Sequence, residues 1–239
     1  MNVDTVQRHR TASATRYSVS TSPDRRNLVY RHRVGATPHE RWNHNIHYHR
    51  LVLDAIPAEA RSALDVGTGN GLLAADLRRR VTDVVAIDAD HEVLEAARAA
   101  VEDVEWIHDD VMAHRFSRTF DVVASVAALH HLPDLPSALR RLSELTSPGG
   151  VLVVVGLARA TRPADFAVAA LGTVQHRWLS RRRGYWEHSA PTVWPPPHSY
   201  AQVRDCARRE LPGVHWRRLP LWRYALTWRK PRPEDSGES

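Results

Sequence analysis

Short apolar runs alternate along the chain with stretches whose apolar residues recur at helical spacing. The runs are residues 62–66, 83–87, 104–108, 120–125 and 151–157, and the helical stretches are residues 71–80, 90–101 and 136–146. The last run is apolar at successive positions, which is typical of a parallel strand covered on both faces. This alternation predicts an α/β fold built on a Rossmann-like, doubly wound sheet with right-handed crossovers.

The pattern changes after Leu157. A helical stretch to about Leu179 leads into a loop rich in arginine, tryptophan and proline, so residues 159–198 are interpreted as an insertion before the final elements. A helix is predicted over residues 199–211, and strands are predicted over residues 214–219 and 222–228, the second with a period of two. We expect these two strands to form an antiparallel pair at the sheet edge, which gives about seven strands, mostly parallel.

The N-terminal part divides into an arm and a helix. Residues 1–36 are polar, rich in arginine and without apolar periodicity, so we expect a disordered or loose basic arm. Within residues 37–57 a helix is predicted, because Thr37 and Glu40 can form a capping box and Pro38 suits the first helical position. We expect one domain over residues 37–230, followed by a loose tail over residues 231–239.

Length and composition narrow the class of protein. The 239 residues suffice for the core of one α/β domain. No apolar run approaches the roughly 20 residues that cross a bilayer, and the N-terminal arginines lack the apolar core of a secretory signal. Cys206 is the only cysteine, which excludes an intramolecular disulfide and a cysteine-based zinc site. We therefore expect a soluble, cytoplasmic protein without a membrane span, either a monomer or a homodimer.

The formal net charge of +6 raises the question of a nucleic-acid partner. Nearly all of the basic excess is arginine, since Lys230 is the only lysine, and much of it lies in the first stretch and the tail. A preference for arginine codons accounts for this composition better than a binding device does. We therefore do not expect nucleic acid to be the partner, although the excess keeps it as an alternative.

A glycine-rich turn is the most informative segment. Residues 64–74 run from a predicted strand into a predicted helix through Gly67, Gly69 and Gly71. Glycine lets the backbone turn sharply and lets a ligand approach the main-chain N–H groups of a helix N-terminus. The spacing differs from the G-x-G-x-x-G of nicotinamide and flavin sites, and Asp65 would be an awkward charge beside a pyrophosphate. A tight connection in any α/β fold stays the alternative.

Acidic residues follow the next two predicted strands. Asp88 lies about 20 residues past the glycines, where an acid can accept hydrogen bonds from both hydroxyls of a ribose. Asp110 follows the third strand and its neighbour Asp109, and it is placed to reach an adenine amino group. A surface-turn acid explains either member of that pair nearly as well.

Further motifs accompany the glycine turn and these acids in a recognisable order. They are Phe120-Asp121-Val122-Val123, Leu129-His130-His131-Leu132 and Pro148-Gly149-Gly150-Val151-Leu152. Over about residues 60–157 the chain resembles the class I S-adenosylmethionine-dependent methyltransferases. It is most similar to the subgroup that acts on small molecules, which includes ubiquinone and menaquinone biosynthesis methyltransferases.

The resemblance implies S-adenosylmethionine as cofactor, S-adenosylhomocysteine as product and a small-molecule acceptor. The methionine portion would contact the residues of the first turn, the ribose those after the second strand, the adenine those after the third, and the sulfonium the end of the fourth. In that order the implied cofactor residues are Asp65, Gly67, Thr68, Gly69 and Gly71, then Asp88 and Ala89, then Asp110 and Val111, and finally Ser125 with Val126.

Histidines are the candidate catalytic groups, because oxygen and carbon acceptors often need a base. His130 and His131 follow the fourth strand, at the sheet edge where open α/β folds bind ligands. A structural role, in which the pair only hydrogen-bonds its own loop, stays open.

Two segments offer candidates for the acceptor side. The leading helix, which in related enzymes folds over the cofactor as a lid, carries His44, His47 and Tyr48, and the insertion carries Tyr185, Trp186 and His188. Aromatic and arginine side chains there could receive a planar or acidic acceptor. We predict no metal site, because no carboxylate or cysteine completes the histidines of the helix. A half-buried lid helix and a surface loop are the structural alternatives.

The predicted reaction is methyl transfer to an O, N or C atom of a small metabolite by in-line displacement at the sulfonium methyl. RNA, DNA or protein methylation is the alternative, although residues 125–132 lack the Asn-Pro-Pro-Tyr-like segment that methyltransferases acting on DNA amino groups use. A module that binds cofactor without catalysis is a third hypothesis, against which the intact motifs argue.

Overall fold

A computed structural model describes residues 42–132, 134–186 and 195–232. Within these residues the strands are β1 (Ser62–Val66), β2 (Asp83–Asp88), β3 (Glu105–His108), β4 (Phe120–Val126), β5 (Thr146–Leu157), β6 (His215–Leu219) and β7 (Arg223–Arg229). They form one sheet in the order β3-β2-β1-β4-β5-β7-β6. The first five strands are parallel, and β7 runs antiparallel to both β5 and β6. The predicted mostly parallel sheet with an antiparallel C-terminal pair is confirmed.

Helices cover both faces of this sheet. They are α1 (His49–Ala55), α2 (Leu72–Arg78), α3 (His91–Ala100), α4 (Leu135–Leu145), α5 (Pro163–Arg183) and α6 (Tyr200–Glu210). Neighbouring residues of a strand point to opposite faces, so Val84 joins the core beneath α1 and α2, whereas Val85 joins the core beneath α4 and α6. Burial on both faces explains why these strands are apolar at successive positions.

Within the described residues, the leading helical segment begins at Ile46. The described residues before Ile46 are not helical: a 3₁₀ turn covers Ile46–Tyr48 and α1 follows it. The side chain of Asn43 accepts hydrogen bonds from the backbone N–H groups of Asn45 and Ile46, both at 2.9 Å. Asn43 therefore satisfies the first free donors of the helical segment, a role that the sequence analysis gave to Thr37. Thr37, Pro38 and Glu40 lie outside the described residues, as do the basic arm and residues 233–239.

The fifth strand begins earlier than predicted. Residues 147–150, which lie between the predicted helical stretch and the predicted strand, are inside β5, where the pairing shifts from Phe120 opposite Thr146 to Val122 opposite Val151. The extra residues form an irregularity in the ladder rather than a separate loop. In the insertion, α5 continues to Arg183, past the predicted end near Leu179, and it leaves large apolar side chains exposed at Phe166, Leu171, Val174 and Trp178.

Candidate active site

A cavity of about 760 Å³ lies at the carboxyl ends of the parallel strands. Its wall comes from the segments that follow β1, β2, β3 and β4, from the end of β5, and from the residues that precede and begin α1. Trp186, after α5, and Arg223, the first residue of β7, complete it. In open α/β sheets ligands bind at this edge, where the strand order reverses. Small-molecule sites typically measure about 300–1,000 Å³, so the volume suits a cofactor together with an acceptor.

Left-handed backbone shapes the turn after β1. Gly67, Gly69 and Gly71 have φ angles of +69°, +54° and +72°, which residues with a Cβ rarely adopt. A Cβ on Gly67 would overlap the Cβ of Ala128 in the loop after β4, and a Cβ on Gly71 would lie 2.6 Å from the Trp106 ring. A Cβ on Gly69 would meet nothing within 4 Å. Gly67 and Gly69 line the cavity, whereas Gly71 lies outside its wall and precedes the first residue of α2.

Asp88 joins the first two loops of the site. Its Oδ2 accepts a hydrogen bond from the backbone N–H of Gly69 at 2.8 Å, and its Oδ1 accepts one from the N–H of Asp90 at 2.9 Å. Asp88 therefore lies directly against the glycine turn. Asp90 in turn caps α3, because its side chain accepts from the N–H groups of Glu92 and Val93.

Asp65 is a buried acid in the cavity wall. It is 1% exposed, and its Oδ2 accepts a hydrogen bond from the Thr68 hydroxyl at 2.7 Å. Burial raises the pKa of Asp65 to about 6, and the Thr68 hydrogen bond and the nearby His49 only partly oppose this shift. A carboxylate held in this way is a favourable position for a cationic group of a ligand.

The two acids in the loop after β3, Asp109 and Asp110, have different hydrogen-bond partners. Asp110 lines the cavity, and its Oδ1 accepts from the backbone N–H of Met112 at 2.9 Å. Asp109 also lines the cavity, but its Oδ2 pairs with the His114 ring at 2.8 Å. That interaction, with the backbone N–H of Asp110, lowers the pKa of Asp109. Ala89 and the buried Val111 complete the wall beside these acids.

The end of β4 corrects one prediction. Ser125 does not line the cavity: its side chain is fully buried, with no hydrogen-bond partner for the hydroxyl. The wall there begins one residue later and consists of Val126, Ala127 and Ala128. Ala127 has a φ of +57°, a strained conformation for a residue with a Cβ. This left-handed conformation turns the chain sharply at the cavity floor.

His130 and His131 both line the cavity, with ring centroids 4.1 Å apart. His130 is 8% exposed, and its Nδ1 is buried without a hydrogen-bond partner. Burial, assisted by the positive charges of His131 and Arg223, lowers the pKa of His130 to about 3. Burial also lowers the pKa of the more exposed His131, although Asp88 opposes that shift. His130 is therefore neutral near pH 7.

Most of the predicted acceptor-side residues lie outside the cavity wall. Trp186 lines the cavity, but His44, His47, Tyr48 and Tyr185 do not. The ring of His44 lies 2.9 Å from that of His176 on α5 and 5.6 Å, between centroids, from that of Tyr185. The Tyr48 hydroxyl donates to a backbone carbonyl between β6 and β7. These rings join the N-terminal segment to α5 and β7. His188 lies outside the described residues.

Several wall residues were missed by the sequence analysis. Asn43, Asn45 and His49 come from the N-terminal segment, and Arg223 comes from the first position of β7. Arg223 is 6% exposed, and burial lowers its pKa to about 10, so it stays a cation at neutral pH. The period of two in β7 placed Arg223 on the polar side of the strand, and no local pattern signals its burial.

The described residues contain neither a cluster of metal ligands nor a membrane-spanning helix. No group of three histidine, cysteine, aspartate or glutamate side chains there is arranged to hold a metal ion. No helix in the same residues is long and apolar enough to cross a membrane.

Comparison with known proteins gives matches at the level of sequence. A methyltransferase domain family matches residues 64–154. An uncharacterized methyltransferase of Mycobacterium tuberculosis strain H37Rv is 42% identical over 194 residues, which are 80% of this chain and 98% of that protein. A ubiquinone biosynthesis O-methyltransferase of Alkalilimnicola ehrlichii is 34% identical over 120 residues, which are 48% of each chain.

Solved structures share the fold at lower identity. The N-methyltransferase NodS of Bradyrhizobium japonicum, in complex with S-adenosylhomocysteine, is 15% identical with a TM-score of 0.51, over 78% of this chain and 87% of that one. The [4+2]-cyclase SpnF is 16% identical with a TM-score of 0.57, over 78% of this chain and 81% of that one. Because one fold carries such different names, the reaction must be argued from the sequence family and the site.

Proposed function

This chain belongs to the methyltransferase family, and on that premise we propose that it binds S-adenosylmethionine in the cavity and transfers the methyl group to a small-molecule acceptor. The observation that carries the proposal is the 2.8 Å hydrogen bond from the Gly69 N–H to Asp88 Oδ2. It joins the turn after β1 to the acid after β2, so that a glycine without side-chain bulk and a carboxylate lie side by side in the wall.

The donors and acceptors of the wall fit this cofactor. A carboxylate offers about four acceptor positions, and Asp88 uses two of them for the N–H groups of Gly69 and Asp90, so capacity is left for ribose hydroxyls. Asp65 is a buried anion suited to the ammonium or sulfonium charge of the methionine portion. Asp110 would contact the adenine amino group.

When bound, S-adenosylmethionine would supply a methyl group activated by its positive sulfur, which would keep the electron pair of the broken sulfur–carbon bond while a lone pair of the acceptor forms the new bond. The protein's own task is alignment and exclusion of water. Val126 and Ala128 provide an apolar floor. A base with a pKa near 3 is weak, so neutral His130 suits orientation of the acceptor by a hydrogen bond. His131, which is more exposed, suits removal of the acceptor's proton.

Calorimetric titration with S-adenosylhomocysteine tests the cofactor site. We expect binding by the wild-type protein and at least about tenfold weaker binding by Asp88→Asn, because a hydrogen bond to a charged group contributes about 1.5–3 kcal/mol. Asp134→Asn is the matched control, since Asp134 caps α4 outside the cavity wall. The proposal would be contradicted if Asp88→Asn bound S-adenosylhomocysteine as tightly as wild type does. It would also be contradicted if the wild-type protein bound neither S-adenosylmethionine nor S-adenosylhomocysteine at millimolar concentration. Release of S-adenosylhomocysteine from a panel of small acceptors, compared with RNA, tests the acceptor class.

A further inference from the structure

A buried guanidinium lines the cavity on β7, away from the cofactor acids. The Nη2 atom of Arg223 donates to Asn45 Oδ1 at 2.8 Å, and its Nη1 donates to the Leu221 carbonyl oxygen at 3.4 Å. Its Nε is buried without a hydrogen-bond partner. The titratable groups that interact with it electrostatically are the hydroxyls of Tyr200, Tyr185 and Tyr48. No described carboxylate forms an ion pair with it. Among the described residues, this buried cation therefore has no counter-ion.

The turn before Arg223 is strained and firmly held. Leu221 and Trp222 have φ angles of +52° and +57°, a conformation unfavourable for both. Two tyrosine hydroxyls bind the carbonyl oxygens of this turn: Tyr48 donates to Pro220 at 2.7 Å and Tyr200 donates to Trp222 at 3.1 Å. An uncompensated buried charge is strongly unfavourable. A guanidinium fixed in a cavity wall is best explained when the ligand brings the anion.

The sheet order separates this cation from the cofactor acids. Between β2, which ends in Asp88, and β7, which begins with Arg223, lie β1, β4 and β5. At about 4.8 Å per strand, the two strands are roughly 19 Å apart across the sheet. Leu157, directly opposite Arg223 in the β5–β7 register, and Trp186 add apolar surface to the same cavity.

We propose that Arg223 binds a carboxylate of the acceptor, so that the enzyme methylates a small carboxylic acid with an apolar or aromatic body. The planar fork of a guanidinium matches a carboxylate with two parallel hydrogen bonds. The inference rests on the proposed function, since it assigns the other half of the same cavity. The other carboxylate that Arg223 could bind is that of the cofactor's methionine portion. The experiment distinguishes this carboxylate from one on the acceptor.

The experiment uses the full-length protein saturated with S-adenosylhomocysteine. Benzoate and 4-hydroxybenzoate are titrated beside their neutral amides, benzamide and 4-hydroxybenzamide. We expect wild type to bind the acids at least about tenfold more tightly than the amides. In Arg223→Gln, which can still reach Asn45, we expect that preference to vanish while the affinity for S-adenosylhomocysteine stays within about a factor of three. Arg229→Gln removes an exposed arginine of the same strand and should change neither quantity.

Three results would overturn the inference that Arg223 binds the acceptor. One is a tenfold loss of S-adenosylhomocysteine affinity in Arg223→Gln, which would assign the guanidinium to the cofactor. The inference also fails if wild type shows no preference for the acids, or if Arg223→Gln keeps that preference. Arg223→Lys retains the positive charge but not the planar guanidinium, and it should keep part of the preference for the acids. This result would show that Arg223→Gln does not lose the preference through misfolding. A wild-type protein that takes up no S-adenosylhomocysteine would instead refute the proposed function itself.

Discussion

Replacing Asp65 with asparagine should make the protein more stable and a poorer binder. The side chain is 1% exposed, its pKa is raised to about 6 by burial, and none of the described ion pairs includes it. At pH 7.5 the folded protein therefore holds a buried negative charge that the unfolded chain would leave in water. The difference from the ordinary pKa of 3.8 corresponds to at most about 3 kcal/mol. Asparagine has nearly the same shape and can still accept from Thr68, so Asp65→Asn should recover part of that free energy.

The pH dependence identifies the cause of the gain. Because the pKa of Asp65 is higher in the folded state, the folded protein binds the proton more tightly, and the contribution to stability is complete below about pH 4. It is lost as the pH rises through about 6 and stays constant above that. The stability difference between Asp65→Asn and wild type should therefore be absent near pH 4, grow up to about pH 6, and then level off.

Urea unfolding at several pH values and calorimetry with S-adenosylhomocysteine measure the two effects together. We expect at least about tenfold weaker cofactor binding in Asp65→Asn, because a cationic ligand group loses its buried partner. Asp54→Asn, an exposed carboxylate on α1, is the matched control and should change neither quantity. The reasoning would be refuted if Asp65→Asn were less stable than wild type at pH 7.5, or if its stability difference did not depend on pH.

Two further changes test the turn after β1 and the histidines. Gly67→Ala should lower the free energy of unfolding by about 2 kcal/mol or more, because the left-handed φ and the overlap with the loop after β4 both disfavour the new methyl group. Gly69→Ala places its methyl group in open space, so it should lower the free energy of unfolding by no more than about 1 kcal/mol. Urea unfolding measures both. At saturating S-adenosylmethionine, His131→Gln should reduce kcat by about 10²-fold or more, whereas His130→Gln should mainly raise the acceptor KM; equal loss of kcat in both variants would contradict the division of roles.

The sequence predicted the architecture well because its strands and caps carry local signals. Buried parallel strands are apolar at successive positions, as in residues 151–155, and the capping residues Asp90 and Ser199 begin helices where the pattern indicated. The leading helix is less continuous than predicted: residues 42–45 are not helical, and the described helical segment begins beside Asn43.

The cavity wall near β4 and β7 could not be predicted for a different physical reason. The Ser125 prediction failed because β4 continues to Val126, so the wall starts one residue later than the pattern indicated. The burial of Arg223 depends on Asn45, 178 positions away in the chain, and on a strained turn whose residues carry none of the glycine or asparagine typical of left-handed backbone. The proposed cofactor positions follow from strand ends and glycines, whereas the proposed acceptor position depends on contacts distant in sequence.

Asp65 and Arg223 together suggest how one cavity distinguishes its two ligands. Each is a buried charge that enters no described ion pair, the first in β1 and the second in β7, so the wall is negative at one end and positive at the other. A cationic sulfonium compound is favoured beside Asp65 and an anionic acceptor beside Arg223, and the reverse arrangement brings like charges together in a poorly screened space. Because each ligand neutralises one of these charges, each should stabilise the fold by more than its contact area alone predicts. In the sheet order β4 lies between β1 and β7, and His130 follows its carboxyl end, so we expect the methyl group and the acceptor atom to meet there.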